Sequence, residues 1–288
     1  MEISLLLGGV FIHFYMERSM VISDELFPFI RNTTEPADLA VRVSWDWAHA
    51  DLPSDEMVGQ DPILNYYWEG ETRYCLTRGG PNGYIACTRY TPDFSEIICT
   101  INEKPFLCPP KALASVLRML PMREIFLHFH TLFLHSSQMV YAGRAVLFSA
   151  PSGTGKTTQA RLWEKYRGAE VASNDRTLTR KRNGIWMTSG YPVDGSEPVF
   201  SNRSHPLGAL VLLQQGPENT IHRLGPVKAL PRLMQQVVLD SWSGEARAAA
   251  TNLLIDLMED IPVYLLTCTP DERAVNVLEQ TLIEEGVI

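Results

Sequence analysis

The sequence predicts an α/β protein in which a β-rich N-terminal part precedes an α/β core. Three observations carry this. Short stretches of alternating apolar and polar residues, separated by turn residues, fill the region from 39 to 101. An apolar run, a Gly-rich turn and a helical pattern follow one another in Ala145-Val-Leu-Phe-Ser-Ala-Pro-Ser-Gly-Thr-Gly-Lys-Thr-Thr-Gln-Ala-Arg-Leu-Trp163. Beyond it, strand-length apolar runs alternate with helical patterns to the end of the chain. At 288 residues the chain suits one large domain or two smaller ones. The expected divisions are a β-rich domain over 1–110, connecting helices over 111–134 and the α/β domain over 135–288.

In the first part, Met1 to Tyr15 is apolar but too short to span a bilayer. Glu2 stands where a signal peptide would be basic, and Gly8-Gly9 interrupts the run, so two short strands are expected. Leu39–Trp47 alternates with the period of a half-buried strand. Ile63–Trp68, Thr72–Thr77, Tyr84–Tyr90 and Glu96–Ile101 follow as strands, with Gly80-Pro-Asn-Gly83 and Thr91-Pro-Asp93 as turns, which suggests a meander or small sandwich. Cys75, Cys87 and Cys99 recur every twelve residues, as equivalent places on adjacent strands would. The five cysteines include no C-x-x-C, which argues against zinc and for a reduced, cytoplasmic setting.

Pro109-Pro110 marks a boundary, after which Lys111–Leu120 and Met122–Leu134 read as helices, the second apolar on most sides. His128, His130 and His135 lack the spacing of three or four that helical ligand pairs need, so they read as partly buried histidines. Gln138–Gly143 and Arg144–Ser149 are expected strands hinged at Gly143, and the helix that follows the Gly-rich turn stops at Gly168. Glu170–Asp175 is a short strand. Thr177–Arg180 and Ile185–Thr188 flank an Asn183-Gly184 hairpin signal, with Arg180-Lys181-Arg182 read as part of a solvated turn. Leu207–Gln214, Thr220–Leu224 and Val263–Cys268 are strands. Pro226–Leu239, Gly244–Met258 and Pro270–Glu285 are helices.

Ser152-Gly153-Thr154-Gly155-Lys156-Thr157 is the core of a Walker A phosphate-binding loop, with Ala150 in the first Gly position of G-x-x-x-x-G-K-[ST]. Backbone N–H groups in such a loop wrap a phosphate, and Gly153 and Gly155 permit close approach. The following helix offers its positive end to the same anion. Lys156 can reach the terminal phosphates, and the Thr157 hydroxyl can ligate Mg²⁺. Asp175 lies nineteen positions after Lys156 at the end of a strand, where a carboxylate for metal or acceptor is needed. Asn174 can offer an amide oxygen to the same metal, and Arg176 can neutralise phosphate charge. Asp194 and Glu197 are candidate second metal ligands but read better as a surface loop, and Arg203 reads as a surface ion pair. The formal charge of −8, with no long basic run, disfavours nucleic-acid binding.

The run from His135-Ser-Ser through the loop, Arg167-Gly168 and Asn174-Asp175-Arg176 resembles the catalytic core of HPr kinase/phosphorylase. The wording Ser-Gly-Thr-Gly-Lys-Thr-Thr158 is also similar to that of phosphoenolpyruvate carboxykinase, whose nucleotide core shares the fold. The resemblance covers residues 135–180 well and leaves 1–110 unexplained. It implies a P-loop core of HPr-kinase/carboxykinase type, an ATP- and Mg²⁺-dependent kinase, and cofactor binding by Ser152, Gly153, Thr154, Gly155, Lys156, Thr157, Thr158 and Arg176. Thr157, Asp175 and Asn174 would face the metal. Catalysis would fall to Asp175 and Lys156, with His135 beside the acidic end or else a core histidine. Where that family has two adjacent aspartates, this chain has Asn174-Asp175, and Ser136 replaces a glycine. The family's C-terminal phosphorylase signature has no counterpart here, which favours the kinase direction.

The expected activity is therefore transfer of the γ-phosphate to a hydroxyl of a peptide, a protein or a small molecule. The β-rich part is the natural place for acceptor recognition. Family members are often oligomers, so a homo-oligomer is compatible with the resemblance, whereas a membrane or nucleic-acid partner is not expected. The alternative is a nucleotide-binding sensor or scaffold with little catalysis, motivated by Asn174.

Overall fold

The structure is a computed structural model that describes residues 1–33, 35–79, 83–104, 111–193 and 201–288. The chain divides into two units, Met1–Phe129 with Asp240–Gly244, and His130–Leu239 with Glu245–Ile288. The Gly80-Pro-Asn-Gly83 turn, Pro109-Pro110, Cys108, Asp194 and Glu197 fall wholly or mostly outside the described residues.

In the first unit, β1 (Glu2–Leu7), β2 (Val10–Met16), β3 (Leu39–Ser44), β4 (Met57–Gln60), β5 (Leu64–Glu69), β6 (Thr72–Arg78), β7 (Tyr84–Tyr90) and β8 (Ile97–Ile101) form one sheet in the order β1-β2-β3-β8-β7-β6-β5-β4. Gly8 and Gly9, both at positive φ (59° and 84°), turn β1 into β2. Strands β4 to β8 are an antiparallel meander, while β2–β3 and β3–β8 are parallel. A single sheet, rather than a sandwich, is the result, because α1 (Leu113–Met119) supplies the cover that a second sheet would have given. Thr88 Oγ1 donates to the Met119 carbonyl at 2.8 Å and so caps the end of that helix from the sheet. The cysteine rhythm is only partly an equivalence. Cys75 and Cys99 both pair across Thr88 and share its face, whereas Cys87 pairs with Leu76 and Thr100 and points to the other side.

The expected helix over Met122–Leu134 is shorter in the structure. The helix α2 (Met122–His128) ends there, and His130 takes a left-handed φ of 52° that no helix continues through. From Thr131 the chain runs as β9 (Thr131–Tyr141), because an apolar stretch of that length is open to either structure and pairing partners on both sides select the strand. A buried charge cluster sits in this unit. Arg123 donates to Asp61 at 2.6 Å and to Asp240 at 2.8 Å, and the Tyr66 hydroxyl reaches Asp240 at 3.3 Å.

The second unit holds β9, β10 (Arg144–Ser149), α3 (Lys156–Arg167), β11 (Glu170–Ser173), β12 (Arg176–Arg182), β13 (Ile185–Gly190), β14 (His205–Gln215), β15 (Thr220–Arg223), α4 (Pro226–Met234), α5 (Gly244–Asp260), β16 (Val263–Cys268) and α6 (Glu272–Glu284). Its strands run in the order β10-β9-β12-β13-β14-β16-β15, and β10 also pairs with β14, so β9, β12, β13, β14 and β10 close into a ring. The β10–β14 and β14–β16 pairs are parallel. Met139, Val146 and Phe148 from the strands pack with Ala160 and Trp163 of α3 and Leu278 and Leu282 of α6, all fully buried. The sheet face that bears these residues is what seats α3.

Two further expectations change. Arg180-Lys181-Arg182 lies on β12, not in the turn, because the two positive-φ positions Asn183 and Gly184 (50° and 78°) suffice to close the hairpin. Lys181 is then held by Asp256 at 3.0 Å and Asp260 at 2.9 Å. The helix expected over Pro226–Leu239 ends at Met234. Beyond it Val238 N–H donates to the Phe133 carbonyl and His135 N–H donates to the Gln236 carbonyl, so this stretch trades helical bonds for bonds to β9. Among the described residues no helix is long and apolar enough to cross a membrane.

Candidate functional site

The site is built on β9, whose neighbours are β10 on one side and β11 and β12 on the other. Antiparallel register sets Ser149, the last residue of β10, opposite Ser136. It also sets Arg176, the first residue of β12, opposite His135. Two adjacent residues of one strand therefore bring the end of β10 and the start of β12 together. Short side-chain bonds fix that junction. Ser149 Oγ donates to the His135 carbonyl at 2.8 Å, Ser136 Oγ and Thr177 Oγ1 are 2.6 Å apart, and Ser136 N–H donates to the Asp175 carbonyl at 3.1 Å.

After Ser149 the chain leaves the sheet through residues 150–155 and enters α3 at Lys156. Gly153 (φ 79°) and Gly155 (φ 114°) take left-handed backbone conformations that a side chain would strain. Gly155 is the residue before the helix. No side chain caps that end and no acidic residue occupies the first turn, so the helix N-terminus keeps its positive end uncompensated. Ser152 and Gly153 are exposed, as is Thr158, while Thr154 and Thr157 are partly covered.

Lys156 is buried, at 7% exposure. Its ammonium donates to the Ala150 carbonyl at 2.9 Å and weakly to Pro151 at 3.5 Å. Burial holds the Lys156 ammonium below its usual range, the Asp175 carboxylate pulls it back up, and Arg176 pushes it further down. Asp175 and Arg176 are thus electrical neighbours of the loop lysine.

Asp175 stands between the His135 imidazole and the Arg176 guanidinium. His135 Nε2 lies 3.1 Å from Oδ1, and Arg176 Nε lies 3.5 Å from Oδ2. Burial pushes the carboxyl up, but the His135 hydrogen bond and the charges of Arg176, His135 and Lys156 outweigh it, and the group is held below the ordinary carboxylate range. Asn174, by contrast, is 4% exposed, with its carbonyl taken by Ser137 Oγ at 2.7 Å. Asp175 is the accessible member of the pair.

His135, Lys156, Asp175 and Arg176 therefore converge, with the loop Ser152–Thr157 beside them. Arg203 is not part of the group and faces Glu170 at 3.6 Å on the surface. Among the described residues no set of three or more His, Cys, Asp or Glu side chains is placed to hold a metal alone. One participant escapes the sequence. Gln215, at the end of β14, donates to the Gly153 and Thr154 carbonyls at 3.4 and 3.3 Å and ties the loop to the parallel neighbour of β10. The only signal for it is the polar pair Gln214-Gln215 closing an apolar strand.

No curated protein matches the chain. The Hpr(Ser) kinase/phosphatase from Coxiella burnetii is similar in structure over 54% of this chain and 98% of that one, at 9% identity and a TM-score of 0.33. The family model described as SynChlorMet cassette protein ScmC matches residues 98–284, which takes in β8, the helices that follow and the whole assembly around Lys156 and Asp175. With close to two thirds of its length in that match, the chain belongs to the ScmC family.

Proposed function

We propose that the protein is a Mg·ATP-dependent phosphotransferase that moves the γ-phosphate to a hydroxyl of a peptide, protein or small molecule. The observation that carries the proposal is the convergence of a lysine in an uncapped glycine loop with a charged carboxylate, Asp175, across β9. An anion fits the residues present. Gly153 and Gly155 give the loop left-handed backbone conformations, the start of α3 is uncompensated, and the Lys156 ammonium is satisfied by carbonyls alone. Ser152, Gly153, Thr154, Gly155, Lys156, Thr157 and Thr158 would hold the phosphates, and Arg176 would neutralise equatorial charge. Thr157 and Asp175, with Asn174 behind them, would hold Mg²⁺. Among the described residues no cluster of His, Cys, Asp or Glu side chains would hold the metal alone, so phosphate oxygens and water would supply the remaining ligands. Bound there, Mg·ATP supplies the transferable phosphoryl group and an electrophilic metal.

The chain's residues then have distinct tasks. Lys156 exchanges its loop carbonyls for phosphate oxygens. Asp175 orients the acceptor hydroxyl and takes its proton at Oδ1 or Oδ2, and His135, 3.1 Å away, holds that carboxylate in place and shares the proton. A single-turnover assay with labelled ATP tests this. Transfer to an acceptor, lost in Asp175→Ala with nucleotide binding retained, is the expected result. Binding of Mg·ATP without hydrolysis or transfer to any acceptor refutes it.

A second reading, a nucleotide-binding sensor with little catalysis, is favoured by one observation. Both Asp175 oxygens already have partners, His135 and Arg176, and its neighbour is the neutral, buried Asn174. Nucleotide-dependent change in conformation without turnover would support it.

A further inference from the structure

A cavity of about 770 Å³ lies in the second unit at the junction of β15, β16 and the first turns of α4. That volume is in the range of small-molecule pockets, roughly 300–1,000 Å³. Its walls carry His222, Arg223, Lys228 and Arg232, and no acidic residue lines it. In a chain of formal charge −8, a concave surface of one positive sign stands out. Arg223 is engaged by Glu285 at 2.7 Å, but His222, Lys228 and Arg232 form no ion pair among the described residues. The floor is apolar. Leu265 of β16 faces it from the strand position opposite His222, and Val227 stands at its edge with 89% of its surface exposed. Such a side chain left in water beside Lys228 and Arg232, the latter bonded among the described residues only to the Lys228 carbonyl, is the composition of a site for a molecule with both an apolar body and a negative group.

The frame is fixed. Four register pairs tie β15 to β16, and Ala229 and Leu233 bury the inner face of α4. Leu224 N–H donates to the Val263 carbonyl at 2.8 Å and anchors the segment between them. The cations therefore project from elements that do not need to reorganise to bind.

We propose that this cavity binds a small organic anion, with Lys228, Arg232 and His222 taking its carboxylate or phosphate and Leu265 with Val227 taking its apolar part. The site is separate in its residues from the Lys156 loop, and the proposal does not depend on the function argued above.

The test is a backbone amide NMR titration of the full chain with three probes: phenyl phosphate, phenylacetate and inorganic phosphate. Phenyl phosphate and phenylacetate distinguish a phosphate ester from a carboxylate as the anionic group. The expected result is saturable shifts at 222–232 and at Leu265 with at least one aromatic anion, and binding at least about tenfold weaker in Lys228→Glu/Arg232→Glu. Inorganic phosphate should be weaker than either aromatic probe at these residues, because it gains nothing from the apolar floor. Benzyl alcohol, which has the ring without the charge, should leave them unmoved. The proposal is overturned if neither aromatic anion saturates these resonances, if inorganic phosphate matches them, or if the charge reversal leaves affinity unchanged in a variant whose amide spectrum shows it folded.

Discussion

Lys156→Met separates the binding role of this residue from any structural one. The residue is 7% exposed, its ammonium donates to two carbonyls of its own loop, and burial already lowers its proton affinity. Removing it sacrifices a charged hydrogen bond but relieves a partly desolvated charge, so the ligand-free protein should change stability by no more than about 1 kcal/mol. With nucleotide the balance differs. A lysine–phosphate contact contributes roughly 1.5–3 kcal/mol, less the 2.9 Å bond to Ala150 that must be given up. A net loss of about 2 kcal/mol is roughly thirtyfold in affinity. At ATP a hundredfold above its dissociation constant, the wild type gains about 2.7 kcal/mol and the variant about 1 kcal/mol. Differential scanning fluorimetry with and without Mg·ATP reads this as a melting shift of several degrees in the wild type that largely disappears in the variant. Equal shifts in both proteins, or none in either, would refute the assignment of Lys156 to phosphate.

Four other outcomes follow from single observations. Asp175→Asn should lower phosphoryl transfer by about 10²–10⁴-fold while changing ATP affinity only a few-fold, measured by single-turnover kinetics and calorimetry. The same carboxyl, held below its ordinary range, contributes stability that is present above the unfolded value near ~3.9 and is lost as pH falls through the lower folded value. Urea melts of wild type and Asp175→Asn should therefore converge on acidification below about pH 4. Glu124 behaves in the opposite sense. Burial raises it to about 7, with Arg73 and Tyr90 only partly opposing, so the folded state binds the extra proton and stability falls as pH rises from the unfolded value toward 7. Glu124→Gln should flatten that decline, by at most about 3 kcal/mol, in denaturation measured at pH 5 and pH 8. Gly59→Ala would place a methyl inside van der Waals contact of the Trp242 ring, and a loss of about 1–3 kcal/mol with a changed tryptophan fluorescence is expected.

The parts of the fold that local chemistry dictates were open to inspection in the sequence. Glycines at positive φ place the turns at Gly8-Gly9, Gly143 and Asn183-Gly184 and the end of α3 at Gly168, and alternation places the meander strands. What the sequence could not hold was decided by partners distant along the chain. Thr131–Leu134 became a strand because β12 pairs with it, and residues after Met234 left the helix because β9 accepted their hydrogen bonds. The parallel β2–β3–β8 pairings bring together segments far apart in sequence, which no local period encodes. Within the candidate site, Lys156 and Asp175 were each marked by motif and position. Their meeting through Ser136, Ser149 and Thr177 is a property of register, and so is the contact of Gln215 with the loop.

The register also bears on how one carboxylate can serve where the resembled family has two. A second aspartate at position 174 would lie at a site where the present residue is only 4% exposed, and burying a charge there is costly. Asparagine keeps an oxygen in that place without the charge. The remaining carboxylate is then kept ionised by His135 on one oxygen and Arg176 on the other. In the proposed role of general base such a carboxylate is weak, and it strengthens when the Arg176 cation leaves it. Arg176 is the candidate to leave, because an arriving polyphosphate competes for its guanidinium. On this account Arg176→Met should raise the proton affinity of Asp175 in the ligand-free protein and make transfer less dependent on nucleotide charge. An unchanged pH profile in that variant would mean that His135 and Lys156 set the carboxylate without Arg176, and that the base strength of the site is fixed before nucleotide arrives.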